Sequence, residues 1–90
     1  SHWLAPVITA FIYPQEGLTV DDYQKNGIRL NNVPATLVMK MPRRLLAFFN
    51  GREAIGSLGE IESGKEYPVV LSGKLKSGVF FGGGTKVRIR

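Results

Sequence analysis

Residues 67–90 read YPVVLSGKLKSGVFFGGGTKVRIR, and this closing stretch decides the fold class. Two apolar runs alternate with polar residues, Lys76-Ser77-Gly78 divides them, and Gly82-Gly83-Gly84 interrupts the second before it resumes as Thr85-Lys86-Val87-Arg88-Ile89-Arg90. A period of two places successive side chains on opposite faces of a strand. Over 66–75, Tyr67, Val69, Leu71 and Leu75 share one face, and Ser72, Lys74 and Lys76 take the other. Pro68 lies near the start, where a missing donor is tolerated. Ser77-Gly78 closes a hairpin onto Val79-Phe80-Phe81, and the three glycines read as a bulge or kink that re-aims the last strand. This is how an antiparallel β-domain ends, and nothing in it performs chemistry.

Upstream, Val7-Ile8-Thr9-Ala10-Phe11-Ile12-Tyr13 is a β-branched and aromatic run closed by Pro14. Its apolar residues fall on both faces, so it is expected to be covered on both sides or to pair near an end. Leu18-Thr19-Val20 is a short strand or leads straight into a helical turn over 21–25, with Asp21 and Asp22 at its N-terminus. Ile28-Arg29-Leu30 and Thr36-Leu37-Val38-Met39-Lys40-Met41 read as hairpin partners across 31–35, with Leu37, Met39 and Met41 on a shared core face. Between Pro42 and Asn50 the period changes: Leu45, Phe48 and Phe49 stand at i, i+3 and i+4, which predicts a two-turn helix stopped by Asn50-Gly51. Residues 51–65 read as a glycine-rich loop with at most one short strand, anchored by Ala54, Ile55 and Leu58. The sum is an all-β, antiparallel β-sandwich of about six or seven strands with one short helix.

Ninety residues make one small domain, which buries about 60–70% of its unfolded surface and needs no staples. There is no cysteine, so disulfides, thiolate zinc sites and cysteine nucleophiles are excluded. No apolar run approaches the ~20 residues of a membrane-spanning helix. The opening Ser1-His2, without a Met, looks like a tag remnant and suggests a domain excised from a longer protein. The net charge of +5, from 12 basic and 7 acidic residues, reads first as a solubility margin.

Two local resemblances follow from these residues. Phe81-Gly82-Gly83-Gly84-Thr85-Lys86-Val87-Arg88-Ile89-Arg90 is similar to the joining segment that ends an antibody light-chain variable domain. That framework needs two cysteines around a buried Trp; here cysteine is absent and the single Trp3 lies at the start, so the likeness is coincidental. Ile28-Arg29-Leu30-Asn31, Leu37-Val38-Met39-Lys40-Met41, Val69-Val70-Leu71-Ser72-Gly73-Lys74-Leu75, Lys76-Ser77-Gly78-Val79-Phe80 and Val87-Arg88-Ile89 together resemble an accessory Ig-like β-sandwich domain. That domain recurs in secreted and cell-surface proteins of bacteria and archaea. The resemblance implies a secreted or surface location and a non-catalytic spacer, neighbour-stabilising or partner-contacting role. Members often carry an Asp-rich calcium-type loop after the first of these strands. Here Asn32-Val33-Pro34-Ala35 offers no carboxylate to an ion that wants about six to eight oxygens.

Catalytic constellations are hard to assemble. His2 is the sole histidine, so serine has no histidine base. Asp21 and Asp22 are adjacent, and neighbouring side chains diverge on helix and strand alike. Gly82-Gly83-Gly84-Thr85-Lys86 precedes a strand, where a phosphate loop precedes a helix. Glu60 and Glu62 lack the further oxygens of a metal site. Met39 and Met41 read as core packing without histidine or cysteine beside them.

The remaining candidate is electrostatic. Lys86, Arg88 and Arg90 alternate outward on the last strand, and Lys74 and Lys76 lie outward on its hairpin partner. Together they form a basic stripe that either protects a sheet edge or binds an acidic polymer. Arg43 and Arg44 add two cations at the start of the predicted helix, where its dipole disfavours them. The stacking aromatics that nucleic-acid-binding sheets interleave with such cations are not evident. The expectation is therefore a non-enzymatic module without cofactor or metal. Its partners would be other domains of its parent chain or another protein; a small basic domain binding nucleic acid or an acidic polymer is the alternative.

Overall fold

The computed structural model describes residues 7–60, 62 and 64–88; the side chains of 85, 87 and 88 are outside that description. The chain forms two antiparallel sheets and one short helix. One sheet has three strands in the order β1 (Val7–Ile12), β5 (Leu45–Asn50), β4 (Leu37–Lys40). The other has four, ordered β3 (Val33–Pro34), β2 (Arg29–Leu30), β6 (Glu66–Lys74), β7 (Phe80–Arg88). The short helix α1 is Gly51–Gly56, and a 3-10 turn covers Val20–Asp22. An all-β sandwich with seven strands among the described residues is what the turn spacing and the alternation predict.

The C-terminal ribbon is the longest element of the fold. β6 and β7 pair continuously from Glu66↔Arg88 to Lys74↔Phe80. Its turn is closed by Gly78 N–H donating to the Leu75 carbonyl at 2.9 Å and Leu75 N–H donating to the Val79 carbonyl at 2.8 Å. Gly78 adopts a φ of 95°, a conformation that glycine reaches without a Cβ penalty. Contrary to the expected bulge, the register runs unbroken through Gly82, Gly83 and Gly84, opposite Ser72, Leu71 and Val70. The glycines remove side chains from this strand without displacing its backbone. The odd-numbered residues Tyr67, Val69 and Gly73 turn inward, and Val69 and Gly73 are buried.

The segment 42–50 is not a helix. Leu45 to Asn50 is the central strand of its sheet, paired with β1 on one side and β4 on the other. Leu45, Ala47 and Phe49 have no exposed surface, at a spacing of two. Residues 45–49 are apolar at every position, so a period of 3.6 and a period of two fit equally, and pairing on both edges decides for the strand. Pro42 and Arg43 instead form the tip of the β4–β5 hairpin, where Met41 N–H donates to the Arg44 carbonyl at 2.8 Å.

The helix begins where one was expected to stop. Asn50 is the N-cap of α1: its side-chain oxygen accepts from Glu53 N–H at 3.0 Å. Asn satisfies an otherwise orphaned first-turn donor, the reason it is favoured at that position. Residues 51–56, read as loop, are therefore helical, and Ala54 is buried beneath them as expected. Asn50→Ala is expected to lower stability by about 1 kcal/mol, read as a shift of the urea midpoint without a change in slope.

The hairpin pairing of 28–30 with 36–41 is also replaced. β2 turns directly into β3 through Asn31 and Asn32, with Asn31 at a φ of 53°. Asn31 then acts as an extra strand residue opposite Val70. Its N–H donates to the Val70 carbonyl at 2.7 Å and its side-chain oxygen accepts from Val70 N–H at 3.0 Å. Its side-chain amide donates to Ser57 Oγ at 2.9 Å, tying this sheet to the end of α1. β4 crosses to the other sheet, where Val38, not Leu37 or Met39, faces the core.

The 3-10 turn shows the anticipated acidic start. Thr19 N–H donates to the Asp22 carboxylate at 2.8 Å, and Asp21 N–H donates to Thr19 Oγ1 at 3.2 Å. Leu18-Thr19-Val20 thus leads straight into the turn and forms no strand. Tyr23, buried beyond it, bridges to Leu75 and seats its ring edge-on against Phe81 with centroids 5.1 Å apart.

Candidate functional site

Among the described side chains, the basic residues singled out from the sequence fall in separate places. Pairs directly opposite in an antiparallel ladder point to the same face, so Lys74 and Lys86 share the outer face of the ribbon with Phe80 and Pro68. The rows they occupy are six residues apart along β6, from 68 to 74. At about 3.3 Å per residue this is roughly 20 Å, well beyond the ~8 Å screening length at physiological salt. Between them stand Val70, Ser72, Gly82 and Gly84, which carry no charge.

Each end of the ribbon has its own surroundings. Lys74 Nζ lies over the Phe80 ring, 4.7 Å from its centroid. Lys76 is in the turn, where its backbone N–H donates to the Asp22 carbonyl at 2.8 Å. Arg88 stands opposite Glu66 in register; its side chain, like all of Arg90, lies outside the described residues. Arg43 and Arg44 are on the β4–β5 turn of the other sheet, with the Arg44 guanidinium 4.8 Å from the centre of the Phe11 ring.

Three of the four acidic candidates have structural partners. Asp22 closes the cap on Thr19, and Asp21 receives Lys40 Nζ at 3.4 Å. Glu62 pairs with Lys65 at 3.2 Å. Among the described residues, no three His, Cys, Asp or Glu side chains come together in a way that could hold a metal.

What the fold does assemble is apolar. Register places Val7, Thr9 and Phe11 of β1, Leu46 and Phe48 of β5, and Leu37 and Met39 of β4 on the outer face of the three-stranded sheet. Six of them form two rows, Phe11–Leu46–Met39 and Thr9–Phe48–Leu37. The flanking apolar side chains are 43% (Met39) to 63% (Val7) exposed. Sheets of this kind ordinarily alternate apolar-in with polar-out when one face meets water. Here both faces are apolar apart from Thr9, and contiguous exposed apolar surface of this kind is uncommon on a single folded chain.

No family model, curated protein or solved structure matches the chain. Its own geometry therefore carries the functional reading.

At one rim of the apolar face, Tyr13, Met41, Pro42, Arg43 and Arg44 line a shallow depression. The two arginines thus border the face at its β4–β5 end. Reading Leu37, Met39 and Met41 as a core face concealed this surface. The signal that marks it in the sequence is the run of apolar residues on both faces of β1 and β5.

Proposed function

We propose that this chain is a non-catalytic interaction module of a larger secreted or surface protein. It docks on a neighbouring folded domain through the outer face of β1, β5 and β4. The observation that carries this reading is the uncharged apolar face bordered by Arg43 and Arg44. Burying such a face gains about 25 cal/mol per Å² of apolar surface, while the arginine rim selects a partner with a carboxylate at that end. The occupant that fits is an apolar protein surface with an acidic residue beside it. Such a role agrees with the resemblance to accessory Ig-like domains, which supplies the expected location.

The test compares the chain alone with the chain joined to the segments flanking it in its parent protein, using amide exchange. Residues of β1 and β4 are expected to gain protection in the longer protein and to lose it in Phe11→Ser/Met39→Ser, which leaves the isolated chain folded. Unchanged exchange on that face would overturn the proposal. So would salt-sensitive binding of heparin or single-stranded nucleic acid that disappears on neutralising Lys74, Lys86 and Arg88, since that outcome belongs to an acidic-polymer binder.

A further inference from the structure

The outer edge of β7, with which no strand pairs among the described residues, is a second surface, independent of the apolar face. β7 ends its sheet in the order β3-β2-β6-β7. Which of its backbone groups are unpaired follows from alternation. On β6, Val70 and Lys74 direct their carbonyls away from β7, accepting from Asn31 and Gln24 N–H at 2.7 and 3.0 Å. Leu75, of the opposite parity, bonds toward Val79. Odd-numbered residues of β6 therefore bond to odd-numbered residues of β7, because residues facing a given neighbour recur every second position. The N–H and C=O groups of Phe80, Gly82, Gly84 and Lys86 point outward from the edge.

Edges of this length are ordinarily blunted by charged side chains, proline or bulges. Lys86 guards one end. The middle is bare: Gly82 and Gly84 have no side chain, and the ladder through them contains no bulge.

We propose that this edge pairs with the same edge of a second copy, antiparallel about a two-fold axis at Gly83. This register sets Gly82 opposite the second copy's Gly84 and Phe80 opposite the second copy's Lys86. All outward-facing groups from 80 to 86 then meet outward-facing groups, as a ladder requires. The two-fold makes the contact isologous, with each feature used twice. Phe80 is 74% exposed and already carries Lys74 on its ring; opposite the second copy's Lys86 it offers a second cation–π contact. The two Lys86 side chains end about 20 Å apart by strand rise, so like charges do not oppose the pairing. The product is one continuous sheet of eight strands.

The test is the mass of the full chain by light scattering across low to high micromolar concentration, alongside three variants. The wild type is expected to become a dimer. Gly84→Pro removes an N–H that faces only the free edge, and a Cβ there meets nothing closer than 3.9 Å. It should remain folded and run as a single chain. Because the protein contains no cysteine, single cysteines read the register directly. Gly83→Cys meets its own copy at about 4.5 Å between Cα atoms, within disulfide reach, and is expected to cross-link under mild oxidant. Gly84→Cys, displaced by two residues from its copy, is not. A wild type that stays monomeric overturns the proposal, as does a dimer that survives Gly84→Pro. If Gly84→Pro does not fold, the cysteine pair decides: cross-linking at 84 in preference to 83, or at neither, overturns the register and with it the proposal.

Discussion

Phe49→Ala is expected to leave the chain at the edge of unfolding, whereas Phe48→Ala next to it is expected to change little. Phe49 has no exposed surface and sits on the inner face of the central strand beside Leu45 and Ala47. Truncating a buried phenylalanine costs about 3–5 kcal/mol, because contacts are lost and the strands on either side cannot close the cavity. A chain of this size has a total stability of roughly 5–13 kcal/mol, so one such change removes a large fraction of it. At about 4–8 °C per kcal/mol for a domain of this length, the melting temperature should fall by at least about 12 °C. Phe48 is half-buried on the outer face, and its truncation removes only part of that contact area. Thermal unfolding followed by circular dichroism separates the two. Equal shifts for both would mean that 45–49 presents a helical face, with 45, 48 and 49 buried together, and would overturn the strand assignment.

This contrast also shows why some of the fold was legible in the sequence and some was not. The β6–β7 ribbon was legible because its information is local: a clean alternation, a turn with glycine where positive φ is needed, and partners adjacent in the chain. The acidic start of the 3-10 turn was legible from Asp21 and Asp22, but its Thr19 cap and its end at Asp22, short of the expected 25, were not. β5 was not, because Leu45, Leu46, Ala47, Phe48 and Phe49 are apolar without interruption and periodicity has nothing to measure. Its identity comes from neighbours at positions 7–12 and 37–40, which no window around β5 contains. The swap of hairpin partners at 28–41 has a similar origin. Asn31 and Asn32 suffice for a two-residue turn, which leaves β4 free to join the other sheet.

The candidate surfaces follow the same division. The parity of the cations could be read from the strand pattern: Lys74 and Lys86 do share a face. Their separation could not, because it depends on how far along the ribbon each lies from the turn. The apolar outer face was hidden by a sound general rule, that apolar alternation marks the core. On β4 that rule selected Leu37 and Met39, two exposed residues, over Val38, one buried residue. A strand with apolar residues on both faces gives no inward direction by itself, and that ambiguity is the sequence trace of the exposed apolar face.

Gly73→Ala tests a tighter constraint, one that inverts the usual sign. In a strand interior, replacing glycine by alanine normally gains stability, since glycine loses more backbone freedom on folding. Gly73 is buried and lies directly opposite Phe81. A Cβ at 73 would stand 2.7 Å from two atoms of the Phe81 ring and 3.2 Å from Ile28 Cγ1. The ring has little room to withdraw, because it packs edge-on against Tyr23 at an interplanar angle of 76°. Tyr23 is itself buried, with its hydroxyl accepting from Gln15 N–H at 3.0 Å. Overpacking of this kind costs about 1–3 kcal/mol, which outweighs the backbone gain. The aromatic ring lying across the glycine fills the space that a side chain would otherwise occupy. Shortening the ring should therefore relieve the clash: Gly73→Ala in a Phe81→Leu background is expected to cost less than in the wild type. The expected coupling between the two positions is at least about 1 kcal/mol by a double-mutant cycle in urea. A neutral or stabilising Gly73→Ala would show that Phe81 moves freely. The β7 edge would then not be held by Phe81 against Tyr23 and Gly73, and the ribbon would depend on its backbone ladder alone for that hold.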